Sequence, residues 1–575
     1  MKNAKRSVII TAILAIIMCA SLAAGATFAL FTSSSSVNIA VTSGNVEVTA
    51  SVVDIQKSYV DENNETVNGK LFSGDATFDE GAHTVTLSHV LPKDTVKFKV
   101  RVVNGSNVAI KYRMVMSLVE DNGLFSSLDI TLGGKKFYGY TSGTKYALLE
   151  AEQQIADIPV VISLPEGATC NNTACKLTYK VEAVQGNASV EDFPEVPENT
   201  LAVNTTEDVR VLEKAISGEN AVLDKDVVIT KAPDTVASRL SIKEPTTLNL
   251  NAMIKTPDNM GNNSSNFTAL MVDADTTVNA NANGGIDTGI NGGYGINVRK
   301  GAKLTVNGGY YYGGGTAVQV QEGELTINGG FFAVEAFGEP YGYNFLLNCV
   351  DSAYRNGTAK ITVKGGTFVN FNPADNKAEG ANTNFVPEGY KVLATKQMNG
   401  DVWYTVVAKD AAGKTFSDGK DVVLNESIAV GAANGIAVKA TSGTVTIEGG
   451  TYNGGEGGNN VCVEAVGGTV VIKDGTFTVG GDANSYGNSV IYSIGGDVVI
   501  EGGFFYTDYN YKGKYYVLNK NNSTNGTITV KGGTFVNYDP SKGDDNLGGN
   551  FVAEGYQVVN ENKANGDVWY TVVKA

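Results

Sequence analysis

A strand, a pair of small turn residues and an aromatic recur seven times along the last half of this 575-residue chain. The units are Leu304–Tyr311, Leu325–Phe332, Ile361–Phe368, Val445–Tyr452, Val470–Phe477, Val498–Phe505 and Ile528–Phe535. In each, the first and third residues are apolar and the second is mostly Thr, a period of two that puts one face in and one out. The turn is Gly-Gly in six units and Asp474-Gly475 in the other, supplying backbone where a side chain would clash. The final glycines are Gly309, Gly330, Gly366, Gly450, Gly475, Gly503 and Gly533, with one long interruption between Gly366 and Gly450. Their other intervals, uneven and roughly 20–40 residues long, mark a stacked architecture in which no unit buries its apolar face alone. A leucine-rich repeat is excluded, because Leu is sparse and helices are missing. A β-propeller stays open but wants about 40 residues per blade at regular spacing; a right-handed parallel β-helix fits the shorter, uneven coils better.

The array is itself duplicated. Asn384–Val392 recurs as Asn550–Val558 and Gly400–Val407 as Gly566–Val573, and the offset is the same for both, Gly389 to Gly555 and Trp403 to Trp569. Residues 205–409 and 410–575 are therefore expected to be two homologous halves, each closed by a hairpin carrying one of the two tryptophans, Trp403 and Trp569. Those tryptophans are expected to plug the solenoid ends, with sugar stacking as the functional alternative. Ahead of the array, Val209, Leu212 and Ile216 fall at helical spacing, predicting a short helix that covers the open end of the core. Residues 187–204, acidic with Pro194 and Pro197, predict an extended linker.

Residues 30–186 predict a β-sandwich. Alternating runs at Val96–Val102 and Ile110–Met116 flank Asn104-Gly105 and predict a hairpin, with further strands at 43–53, 83–91, 157–164 and 176–184. Residues 1–29 predict a signal peptide: Lys2, Lys5 and Arg6, an apolar run from Val8 to Ala20, then small residues with cut sites after Ala26 or Ala29. A retained membrane anchor over residues 8–30 is the alternative. Met18 is too bulky for a lipoprotein site at Cys19.

Composition excludes several functions. The net charge of −16 argues against nucleic-acid binding, which needs clustered Lys and Arg. Gly makes up 68 of 575 residues, about 12% against a usual ~7%, yet without the period of collagen. The two histidines, His83 and His89, would lie roughly 20 Å apart on one strand face at ~3.3 Å per residue, too far for one metal. No His-Glu-x-x-His motif occurs in the chain. Cys170 and Cys175 flank a hairpin tip where a disulfide is one option; Cys349 and Cys462 read as buried thiols. Carboxylate pairs for glycoside chemistry are limited to Asp544-Asp545, read as a solvated loop tip. That pair and Gly480–Asn484 are the places where oxygen ligands for calcium could gather.

Two resemblances add to this. Thr27–Thr32, Ser43–Val48, Leu91-Pro92-Lys93-Asp94 and Asn104-Gly105-Ser106 resemble the corresponding segments of camelysin/TasA-type secreted proteins of Gram-positive bacteria, over residues 1–186. That resemblance implies a sandwich processed by a dedicated signal peptidase after Ala29. It also implies assembly into matrix fibres by strand exchange, with the strand near Val37–Val53 donated. The Gly-Gly-Thr-Phe units and the Asn-Phe-Val-x-Glu-Gly-Tyr motif resemble pectate-lyase-like solenoids of bacterial surface proteins, over residues 205–575. Fold does not fix activity.

The expectation is thus an all-β, secreted, non-catalytic structural or adhesive protein of a bacterial surface or biofilm matrix. It needs no cofactor and no nucleic acid, and meets a membrane only through an uncleaved signal segment. The alternative is a glycan-binding surface protein using exposed aromatics such as Tyr310, Tyr311 and Tyr312; a polysaccharide lyase or hydrolase ranks third.

Overall fold

A computed structural model describes residues 33–35, 46–137, 139–151, 154–168, 174–190, 192, 200–230, 240–261, 264–335, 345–481, 487–510, 514–543 and 549–575. The expected signal segment with Ala26 and Ala29, Cys170 with the bridge to Cys175 that is one option there, and Asp544-Asp545 lie outside these residues. The protein is all-β, 50% strand and 5% helix. It divides into two compact units, Met1–Leu212 with Lys225–Ser238, and Glu213–Asp224 with Arg239–Ala575.

The first unit holds two antiparallel sheets. In chain order its strands are β1 (Ser33–Ser35), β2 (Val48–Val60), β3 (Thr66–Asn68), β4 (Asp75–Asp79), β5 (Thr84–Ser88), β6 (Asp94–Asn104), β7 (Ile110–Asp121), β8 (Asp129–Leu132), β9 (Lys135–Lys136), β10 (Thr141–Gly143), β11 (Ala147–Leu149), β12 (Gln154–Ser163) and β13 (Ala174–Gln185). One sheet runs β3-β2-β6-β12-β8-β9 and the other β10-β7-β13-β5-β4, with β1 on β13 and β11 on β7. Their inner faces meet through Phe98 of β6, which lies 5.0 Å from the Phe78 ring of β4 and 6.4 Å from the Tyr179 ring of β13. This is face-to-face sandwich packing.

The alternation along β6 and β7 is as expected, but the two strands do not form a hairpin. They lie in opposite sheets, β6 between β2 and β12, and β7 against β13. An Asn-Gly hairpin turn needs positive φ at both residues, and neither Asn104 nor Gly105 has it. Instead the fully buried Asn104 amide donates to the carbonyls of Val108 (3.0 Å) and Glu150 (2.8 Å), and its Oδ1 accepts from the Ser106 N–H (3.0 Å). A satisfied buried amide of this kind is costly to disturb, and here it turns the chain from one sheet into the other. Asp94 does similar work: fully buried, its carboxylate accepts from the Phe72 and Leu91 N–H groups, both at 2.8 Å.

The expected helix forms at Thr206–Ala215, with Val209, Leu212 and the following Ile216 buried. A buried strand, Leu201–Val203, precedes it and pairs in parallel with Val227–Ile229, so repeat-type structure begins inside the stretch assigned to the linker.

From Leu240 onward the chain is a parallel β-solenoid, which has about 11 turns overall. Equivalent residues stack in register: Leu304, Leu325 and Ile361 in one column, and Val445, Val470, Val498 and Ile528 in another. All are buried. The recurring aromatic faces inward, and its copies form stacks. Tyr311, Phe332 and Phe368 lie at successive 5.0 Å centroid spacings, and Tyr452, Phe477, Phe505 and Phe535 at 5.1, 4.9 and 4.9 Å. Those spacings match the ~4.8 Å between neighbouring strands, so each ring sits one coil above the last. Outside, asparagines form a ladder, Asn328 to Asn307 to Asn279 to Asn249, with side-chain hydrogen bonds of 2.9, 2.8 and 3.4 Å.

The two glycines of a unit serve different purposes, as Gly532 and Gly533 show. A Cβ on Gly532 would sit 2.0 Å from the Glu501 carbonyl oxygen of the coil beneath. Gly533 instead holds φ at +95°, a region costly for side chains.

Parallel pairing stops at Gly366–Val369, where the antiparallel hairpin Tyr390–Lys396 and Val402–Ala408 adds to the sheet. Three further parallel sheets start at Lys414, Val422 and Ile428, and the last of them ends in the hairpin Tyr556–Asn562 and Val568–Lys574.

One ion cluster braces the first array. Asp273, with its side chain 4% exposed, receives two hydrogen bonds from Arg299 (2.8 and 2.9 Å) and one from Lys300 (2.6 Å). Burial works against its charge, but these bonds outweigh it and hold the carboxyl below its usual range. The stability it adds is therefore complete above the unfolded carboxylate pKa of ~3.9 and lost as pH falls through the lower folded value. Asp273→Asn should cost about 1.5–3 kcal/mol at pH 7, the range for hydrogen bonds to a charged group, since Arg299 and Lys300 keep contact with solvent. Denaturant melts should show that difference shrinking below about pH 4; a pH-independent difference would contradict the ionic role.

Candidate functional site

Alternation along each coil decides which aromatics can meet a partner. Tyr311 is wholly buried in the interior stack, so of the three consecutive tyrosines only Tyr310 and Tyr312 point outward, each partly exposed. Tyr310 stacks on Phe331 of the next coil at 5.8 Å, and Phe331 meets Trp403 edge-on at 4.9 Å. These three rings form a row across the outer face of the first array. Burial raises the pKa of the Tyr310 and Tyr312 hydroxyls, so both stay protonated donors at neutral pH. Phe504 and Trp569 make the corresponding pair in the second array at 5.1 Å. The tryptophans thus lie on the outer face, one strand beyond the last coil, and do not plug the interior; position 404, not 403, falls opposite the inward Phe368.

Among the described residues the second array's outer face is covered, whereas that of the first is partly exposed. Asn453 donates to Thr395 Oγ1 (3.0 Å), Thr476 donates to Gln397 Oε1 (3.0 Å), and Lys396 reaches Asp508 (2.8 Å) and lies over the Tyr506 ring at 5.8 Å. A groove of about 370 Å³ remains beside this contact, lined by Glu456, Thr478, Tyr506 and Asp508 among others. A second groove, about 580 Å³, follows the C-terminal hairpin past Asp539, Lys542, Asn550 and Tyr570.

His83 and His89 are not strand residues. They flank β5 at φ of 51° and 53°, both positive, in turn conformations uncommon for a side chain. His83 packs edge-on against Tyr179 at 5.6 Å. Among the described residues no group of three or more His, Cys, Asp or Glu is placed to hold a metal ion. Of the loop Gly480–Asn484, where oxygen ligands could gather, only Gly480 and Gly481 are described. Cys175, Cys349 and Cys462 are buried, and burial pushes the Cys175 thiol up to about 12. Among the described residues no helix is long and apolar enough to cross a membrane.

No family model, curated protein or solved structure matches the chain. The contact made by Thr395, Lys396 and Gln397 had no signal of its own in the sequence. Only the duplication of the closing motif, followed residue by residue, could have drawn attention to it.

Proposed function

We propose that this is a secreted, non-catalytic structural or adhesive protein of a bacterial surface or extracellular matrix, with the sandwich as assembly module and the solenoid as a rigid display surface. The observation that carries this reading is the regular stack itself, aromatic inside and lined outside by the asparagine ladder and by Thr277, Thr305, Thr326 and Thr362 in register, which suits a stiff scaffold. The right-handed β-helix of two duplicated halves, the camelysin/TasA-type sandwich and the pectate-lyase-like solenoid belong to the same reading.

The assembly step has a specific place in the sandwich. β1, only three residues long, pairs antiparallel with Val181–Ala183 on the edge of β13 that β5 also occupies further along. β2, by contrast, is paired with β6 over most of its length. Of the segment near Val37–Val53, the part in β2 is thus committed to its own sheet, and the better candidate for donation to a neighbouring molecule is the short pairing at Ser33–Ser35. A proline there would remove a ladder donor. Negative-stain microscopy of the chain from Leu30 onward should show filaments, which Ser34→Pro should shorten or abolish. Discrete particles from the unsubstituted chain at every concentration would defeat the fibre reading.

The partly exposed row Tyr310, Phe331 and Trp403 favours one second reading, glycan binding by stacking. Retention on a polysaccharide column that Tyr310→Ala removes would support it.

A further inference from the structure

We propose that the C-terminal hairpin docks onto the outer face of the first array in a second copy of this chain, joining solenoids head to tail. The equivalent contact is already made within the chain. Leu393 and Thr395, on one face of the first hairpin, are 0% and 1% exposed. Thr395, Lys396 and Gln397 bind the outer face of the second array through Asn453, Tyr506 with Asp508, and Thr476. Beneath them Thr476, Thr478, Phe504 and Tyr506 are all buried.

The closing motif recurs at the end of the second array, which puts Val559 and Glu561 in the places of Leu393 and Thr395. There, among the described residues, nothing covers them: Val559 is 46% exposed and Glu561 is exposed. The receiving face has its counterpart too. Counting coils back from each hairpin, Phe368, Phe332 and Tyr311 match Phe535, Phe505 and Phe477. Tyr310 and Tyr312 therefore match Thr476 and Thr478, Phe331 matches Phe504, and Asp287 matches Asn453. Tyr310, Tyr312 and Phe331 are each partly exposed. Among the described residues the chain thus makes the contact once and carries the two surfaces of a second one, the hairpin face exposed and the receiving face partly so. A second copy satisfies both, and because the two surfaces differ, the contact is heterologous and can propagate without closing.

The polar pairs are changed but can be replaced: Asn562 stands for Lys396 and Glu335 for Asp508, an amide donor facing a carboxylate, while Ala333 stands for Tyr506. Lys563 stands where Gln397 stands, and it already pairs with Glu561 (2.7 Å) and lies 4.1 Å over the Trp569 ring. On the first array Gln397's partner position is Tyr310, with Asp287 one coil below in register with Tyr312. In the docked pair the Lys563 ammonium stands against an aromatic ring and is shared between Glu561 and Asp287, which lets the two carboxylates face each other.

Sedimentation velocity of the full chain tests this. It should be run over a concentration series in the Ser34→Pro background, so that strand pairing through β1 does not contribute. The sedimentation coefficient should rise with concentration, less so in high salt. Val559→Arg, at an exposed position, should weaken association at least tenfold with unchanged melting, and Lys563→Glu should weaken it likewise, with some loss of melting temperature because its pairs with Glu561 and Trp569 go too. A monomer at every concentration, or variants that associate like the parent, would overturn the inference. Filaments that survive Ser34→Pro but vanish with Val559→Arg would overturn the strand-pairing reading and uphold this one.

Discussion

Phe477→Ala is expected to lower the stability of the solenoid by about 3–5 kcal/mol, the upper range for truncating one buried side chain. Phe477 is fully buried between Tyr452 at 5.1 Å and Phe505 at 4.9 Å, so its removal strips contacts from the coil on each side. In a stacked array stability is close to a sum of nearest-neighbour terms, and a cavity in the middle of the stack weakens two of them at once. Phe477→Leu, which keeps most of the volume, should cost less than about 1.5 kcal/mol. Phe331→Ala, at an outward position between Tyr310 and Trp403, should cost only about 2 kcal/mol, the scale of two aromatic pairs. Urea melts of the three variants supply the check, and equal losses at 331 and 477 would contradict the inward stack.

Gly532→Ala should be damaging, and Gly449→Ala should be nearly silent. The two glycines hold the same place in their units, but their neighbours differ. A Cβ on Gly532 would stand 2.0 Å from a backbone oxygen and 2.7 Å from its carbon, neither of which can move without disturbing the ladder below. At Gly449 the nearest atom is the Asn425 side-chain oxygen at 3.7 Å, and φ is not positive. Overpacking at Gly532 should therefore cost about 1–3 kcal/mol. At Gly449 the smaller entropy of the unfolded alanine should even give a gain of a few tenths up to about 1 kcal/mol. A similar loss at both sites would mean that the coils are not stacked as described.

The repeat array is legible in the sequence because each unit carries its own period, its own turn and its own aromatic within a few residues. The inward stack follows from alternation alone, since Phe477 and Phe505 occupy the same step of the same pattern. Sheet membership does not follow. Strands β6 and β7 have matching patterns and a favourable turn between them, yet the buried amide of Asn104, bonded to the carbonyl of the distant Glu150, sends them into opposite sheets. The histidines mislead for a related reason. Each lies next to a strand in sequence but takes a turn conformation, which alternation cannot reveal. The tryptophans are conspicuous in the sequence but their face is not, because the register of an antiparallel hairpin added to a parallel sheet is set by distant pairing. For the same reason the docking of the first hairpin is invisible there: its residues, Thr395 and Gln397, are ordinary until the strand they meet is known.

In-register stacking of the recurring units, one strand apart, is the claim on which the rest depends. Nitroxide labels at Thr446→Cys and Val471→Cys probe it most directly, since these partly exposed positions are register partners on neighbouring coils. Backbones separated by ~4.8 Å place the two labels in contact, so the continuous-wave spectrum should show strong spin–spin broadening that disappears when either label is present alone. A doubly labelled protein with the sum of two uncoupled spectra would contradict the stacked solenoid and the display role built on it.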